Sequence, residues 1–160
     1  MKLTTSVKWG LAAGLVVGVL AGVLAYMSVM SVLDALVEYV YQERVKMGTP
    51  HALARQAAEL IRQIAPPSAL AGGIVVNVII YLIMGLVMAA VWERLRLPWY
   101  AKGALFGVVL TALLSLPSLL TPPPPDIPTP PAVYGYASTA LNFAGPILLA
   151  WLLNRAASRA

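Results

Sequence analysis

Apolar residues run in long stretches along this chain instead of alternating with polar ones, and charged residues collect in the gaps between those stretches. The hydrocarbon core of a bilayer is about 30 Å thick, so a spanning helix needs about 20 mostly apolar residues. Four segments come close to that length: about 9–33, where no charge intervenes from Trp9 until Asp34, and then about 69–92, 104–120 and 133–153. The third is the shortest and runs into prolines. Lipid offers no partner to an exposed backbone amide, so each segment is expected to be helical, and the two-residue alternation of a membrane barrel strand is missing. The pattern predicts an all-α fold. It is a polytopic membrane helical bundle of four transmembrane helices, plus a short amphipathic helix in the first outer loop, with residues 1–160 forming a single integral membrane domain.

The beginning of the chain also has the outline of a secretory leader: Lys2 and Lys8, an apolar run, and small residues around Val23-Leu24-Ala25. The apolar helical pattern nevertheless continues through Met27, Val29, Met30 and Val32, which favours a first span that is retained.

The loops carry their own patterns. From Thr49 to Ala65, Leu53, Ala57, Leu60, Ile61 and Ile64 recur at helical spacing opposite Arg55, Gln56, Glu59 and Arg62. Pro50 suits a helix start after a Thr cap and Pro66-Pro67 a stop, so a short amphipathic helix is expected over about 50–65. It is read as lying on the membrane surface or capping the bundle, with docking of a partner as the sharper alternative. The proline-rich outer loop, 117–131, holds eight of the thirteen prolines, including four in a row from Pro122 to Pro125. Such a run favours polyproline II, and a rigid connector is expected there.

Composition narrows the function classes. Sixty per cent of residues are hydrophobic and 11 per cent charged, which excludes a disordered chain and does not suit a water-soluble globule. With no Cys and one His there is neither a thiolate nucleophile nor a multi-His metal site. The proline-rich loop and missing Cys also suit a thermophile.

Charge placement predicts an orientation. With the N terminus inside, Lys2, Lys8, Arg94, Arg96, Lys102, Arg155 and Arg159 face the cytoplasm, against Arg44, Lys46, Arg55 and Arg62 outside. Trp9, Trp92, Trp99 and Trp151 fall at the same inner boundary, and Tyr39, Tyr41, Tyr134 and Tyr136 at the outer one. The expected location is the cell membrane, multi-pass, with both termini cytoplasmic.

Gly10, Gly14, Gly18 and Gly22 form a glycine zipper, one glycine every fourth position on one helix face, where a missing side chain lets another backbone come close. Gly103 and Gly107, followed by Thr111 and Ser115, repeat the spacing on the third span, which suggests that spans one and three pack together. The partner of the glycine face can be this chain or a neighbouring subunit.

Polar groups at depth are where function is expected to show. Asn77 and Asn142 should lie at similar depth in the second and fourth spans, and Pro146 removes the hydrogen bond to the carbonyl of residue 142. Asn77, Tyr81 and Asn142 are therefore candidates for a small polar site, weighed against an ordinary interhelical hydrogen bond. Asp34 and Glu38, four apart at the outer end of the first span, are candidates for cation binding or proton relay, weighed against simple hydration.

No GxSxG, HExxH or phosphate-cradling glycine loop occurs, so the chain is not expected to be an enzyme or to hold a cofactor. Its formal charge of +5 is dispersed at membrane edges and not gathered into a groove with stacking aromatics, which disfavours nucleic acid. Two functions survive. The preferred one is a structural or accessory membrane subunit, associating through glycine-lined helix faces with copies of itself or other membrane proteins and surrounded by membrane lipids. The alternative is a small transporter component or oligomeric channel built around Asn77 and Asn142.

Overall fold

The computed structural model describes residues 3–120 and 124–158. Among them are five helices and no strand: α1 (Leu3–Met30), α2 (Leu33–Lys46), α3 (His51–Val91), α4 (Trp99–Leu120) and α5 (Ala132–Ala157). Lys2 and Arg159, which bear on orientation, and Pro122 and Pro123 of the expected proline rod lie outside the described residues. Four of the helices, α1, α3, α4 and α5, are long and apolar enough to cross a membrane.

The region after the first span departs from expectation. The helix starting at Leu3 stops at Met30, and two residues, Ser31 and Val32, separate it from a second helix. At this junction the Ser31 hydroxyl donates to the Ser28 carbonyl at 2.7 Å, and the Val32 amide bonds Val29. Local serine bonding of this kind competes with the regular helical ladder. Beyond the junction the chain is helical again: α2 has Asp34 in its first turn and Arg44 and Lys46 in its last, each placed favourably against the helix dipole. It closes at Gly48, whose φ of +82° carries the chain out of the helix. The amides of Gly48 and Thr49 return to the carbonyls of Val45 and Arg44, the paired bonds of a Schellman ending.

The separate amphipathic helix over 50–65 is a second correction. Those residues and the second span are one continuous helix, α3, of 41 residues, capped by Pro50 and not by Thr49. Pro66 and Pro67 lie inside it and do not end it. A proline's fixed φ is compatible with the helix; the cost is the missing bond to the carbonyl four residues back and the crowding there. Both halves of α3 are packed, the first against α2 and the second against α1, so tertiary contact holds the helix together across the pair.

The packed face of that first half also differs from the leucine stripe read from the sequence. Ala54 and Ala58 are buried against α2, whereas Leu53, Leu60 and Ile64 are exposed. Small side chains permit the close approach, and the larger ones are turned aside.

The pairing of spans one and three is corrected as well. α1 runs antiparallel to α3, and α4 packs on α5. The register is constant: Gly10, Gly14, Gly18 and Gly22 meet Leu82, Val78, Ile74 and Leu70 in turn. A second hairpin places Gly103 on Ile147 and Gly107 on Phe143. The two hairpins join mainly through α1 and α5, around a core that includes Val17, Tyr81, Met88, Leu149 and Leu153. Between α4 and α5 the described part of the proline-rich loop turns, with the Ile127 amide bonding the Pro124 carbonyl.

Candidate functional site

Three places hold the residues that the sequence singled out. The first is the helix contact surface. A Cβ built on Gly14 would lie 2.9 Å from the Val78 Cα, on Gly18 2.9 Å from the Ile74 carbonyl, and on Gly22 2.6 Å from the Leu70 carbonyl. On Gly10 it would lie 2.8 Å from the Tyr81 carbonyl. Gly103 and Gly107 meet the backbone of α5 at 2.6 and 2.7 Å in the same sense. Each of these six faces is thus filled by this chain's own helices. Gly73 and Gly85 on α3 answer α1 from the other side, opposite Gly22 and Ser6. Their spacing of twelve conceals them in the sequence, because α3 meets α1 with glycine only at these two points.

The second place is the group Asn77, Tyr81 and Asn142. α3 and α5 run in the same direction, and Tyr81 sits on Gly145, so Asn77 and Asn142 fall at a similar level. The Asn77 amide donates to the carbonyl of Gly73 in its own helix at 2.8 Å. Tyr81 has no exposed surface, and its hydroxyl has no hydrogen-bond partner among the described residues. Asn142 is half-buried. The three residues are brought to one level, but the bond that Asn77 makes is local.

The third is a polar cleft of about 260 Å³ between α2 and the first half of α3, lined by Asp34, Glu38, Tyr41, Arg55, Glu59 and Arg62 among others. Asp34 meets Arg62 at 2.8 Å, and Glu59 approaches the same guanidinium at 3.5 Å. Glu38 accepts from Gln42 at 2.9 Å. Across the tip of this hairpin Tyr41 and His51 share a hydrogen bond of 2.9 Å. On the far side of α2, Glu43 bonds Lys46 and raises its ammonium above the ordinary lysine value. Asp34 and Glu38 therefore face a cleft in which two arginines offset all but one of three carboxylate charges.

One arrangement was only partly visible in the sequence. At the opposite end of the molecule three tryptophans each carry a cation over the ring: Lys8 on Trp9 at 5.7 Å, Lys102 on Trp92 at 4.2 Å and Arg155 on Trp151 at 5.5 Å. Antiparallel packing brings the starts of α1 and α4 and the ends of α3 and α5 to this one level. The Lys102 ammonium also donates to the Trp92 carbonyl at 2.6 Å, tying α4 to the end of α3. Cation–π attraction strengthens where water is partly excluded, and Lys102 is buried.

Comparison with known protein families, characterised proteins and solved structures returns no match.

Proposed function

We propose that this chain is a multi-pass membrane protein acting as a structural or accessory subunit, in which four helices anchor an extramembrane helical hairpin that associates with other membrane chains, copies of itself included. The observation that carries this reading is the length and composition of α3. At 1.5 Å per residue its 41 residues reach about 60 Å, twice a bilayer's hydrocarbon core. Its second half supplies the span, and its first half, with α2, stands beyond it.

Two features support the membrane and association parts separately. Large apolar side chains such as Leu15, Val16, Ile79, Val108 and Leu113 are about half exposed on the outside of the bundle, an arrangement suited to lipid and not to water. On the projecting hairpin Leu53, Leu60 and Ile64 form an uncovered apolar stripe beyond the segment read as the span. Because the glycine faces are occupied from within, this stripe is a surface that stays open for association. The local bond of Asn77 and the close packing of Tyr81 favour this reading over a transport pathway. The tryptophan and cation belt supports an interface at that end of the bundle, and the bias of positive residues toward it supports a cytoplasmic side there, with both termini on it.

The test combines orientation and assembly. Single cysteines at Arg55 and Ala132 should be labelled from outside the cell and one at Leu97 from within. The wild-type chain in mild detergent should show an intact mass above that of one copy, and Leu53→Glu with Leu60→Glu should reduce it. A bare single-chain mass, or labelling of Ala132 and Leu97 from the same side, overturns the proposal.

A further inference from the structure

α3 and α4 diverge after the short link that joins them, leaving an apolar groove of about 250 Å³ between them. Its walls include Ile80, Ile83 and Val87 from α3 and Phe106, Val109 and Leu113 from α4. At one end the groove is closed by the Lys102 to Trp92 bond, since Lys102 lies one turn before Phe106 on the same face of α4. The link beyond that bond carries Arg94 and Arg96, both exposed and in no ion pair among the described residues. Glu93 lies on the same link, so this end keeps a net positive charge.

Length decides what fits. The stretch of α4 that lines the groove, Phe106 to Leu113, rises about 10 Å, and its deep end lies about 16 Å from the level of Lys102, half of a hydrocarbon core of about 30 Å. A groove running from the interface to the midplane matches one leaflet, whereas a helix from another subunit would call for a contact along the full span. A wholly apolar slot with cations at its interfacial end pairs an acyl chain with an anionic headgroup. We propose that this groove is a binding site for one anionic phospholipid, its acyl chain between α3 and α4 and its phosphate against the exposed Arg94 and Arg96. The lipid would fill the gap between the two helices and help hold the two hairpins together. This inference rests on the proposed membrane role.

Native mass spectrometry of the full chain in mild detergent, with phosphatidylglycerol and phosphatidylcholine added in equal amounts, tests it. Phosphatidylglycerol should be retained, one per chain, on the order of tenfold more than phosphatidylcholine. Arg94→Gln with Arg96→Gln, on the exposed link, should erase most of that preference while leaving the fold intact. Val109→Trp, and from the facing wall Ile83→Trp, should displace the retained lipid whatever its headgroup. Equal retention of the two lipids by the wild type overturns the site, as does undiminished phosphatidylglycerol on both tryptophan variants. A chain dimer that both tryptophan variants abolish would assign the groove to a second copy and overturn it too. Alkaline carbonate extraction separates the two levels: a chain released from membranes defeats the membrane reading and this site together. A chain that resists extraction but shows no lipid preference defeats the site alone.

Discussion

The Tyr81 hydroxyl rests directly on Gly145, in the space that a Cβ on that residue would occupy, and has no hydrogen-bond partner among the described residues. This contact joins the two hairpins, α1–α3 and α4–α5, at the centre of the bundle. An aromatic ring fits there only because α5 has no side chain at that point.

Tyr81→Phe keeps the ring and removes a buried unpaired hydroxyl, whose burial costs about 1–3 kcal/mol. The variant should be at least as stable as the wild type in detergent thermal unfolding. Gly145→Ala should be destabilised by about 1–3 kcal/mol or more, because the added methyl meets the aromatic ring. A drop in the melting midpoint of Tyr81→Phe would show that the hydroxyl has a partner in the membrane.

Glycines differ in what surrounds them, and substitution should sort them. Gly14→Leu drives a side chain into the Val78 backbone, and the overpacking should cost about 1–3 kcal/mol. Gly72 meets nothing within 4 Å, so Gly72→Ala should be neutral or add up to about 1 kcal/mol through better helix propensity. Circular dichroism melts of the two variants check the contrast; equal losses would mean that α1 and α3 do not meet along this face.

The proline pair offers a direct test of helix continuity. Pro66→Ala with Pro67→Ala should leave the helical signal at 222 nm unchanged, since α3 already passes through both positions. Stability should rise by about 1 kcal/mol or more as the missing backbone bonds are made. A clear gain in helical signal would instead show that the helix ends at the prolines.

Asp34 and Arg62 meet at 2.8 Å but are largely exposed, so solvent screening limits their worth. Asp34→Asn and Arg62→Gln should each cost less than about 1 kcal/mol, and a double-mutant cycle should return a coupling within about 0.2–1 kcal/mol that fades with salt. A larger, salt-insensitive coupling would identify the cleft as a desolvated site.

Amino-acid pattern alone determined that the chain is helical and that four of its segments are long and apolar enough to cross a bilayer, because unbroken apolar length is a local property. Local bonding also wrote the end of α2, where Gly48 supplies a left-handed turn. The acidic first turn and basic last turn of that helix were present in the sequence too, although the apolar span before it masked the break at Ser31 and Val32.

Partnership was another matter. Periodic glycines mark a face that another backbone can approach, and the small-residue repeat of Gly103 and Gly107 points to span three as its partner, yet the close contact in the tertiary structure is with α3. The same holds for Pro66-Pro67, whose local cost is outweighed when both flanking halves of a helix are held by neighbours. Leu53, Leu60 and Ile64 read as the apolar face of a surface or capping helix, but it is Ala54 and Ala58 that pack on α2, because small residues let that helix come closer. Contacts between segments far apart in the chain depend on shape at the interface, which one-dimensional pattern does not carry.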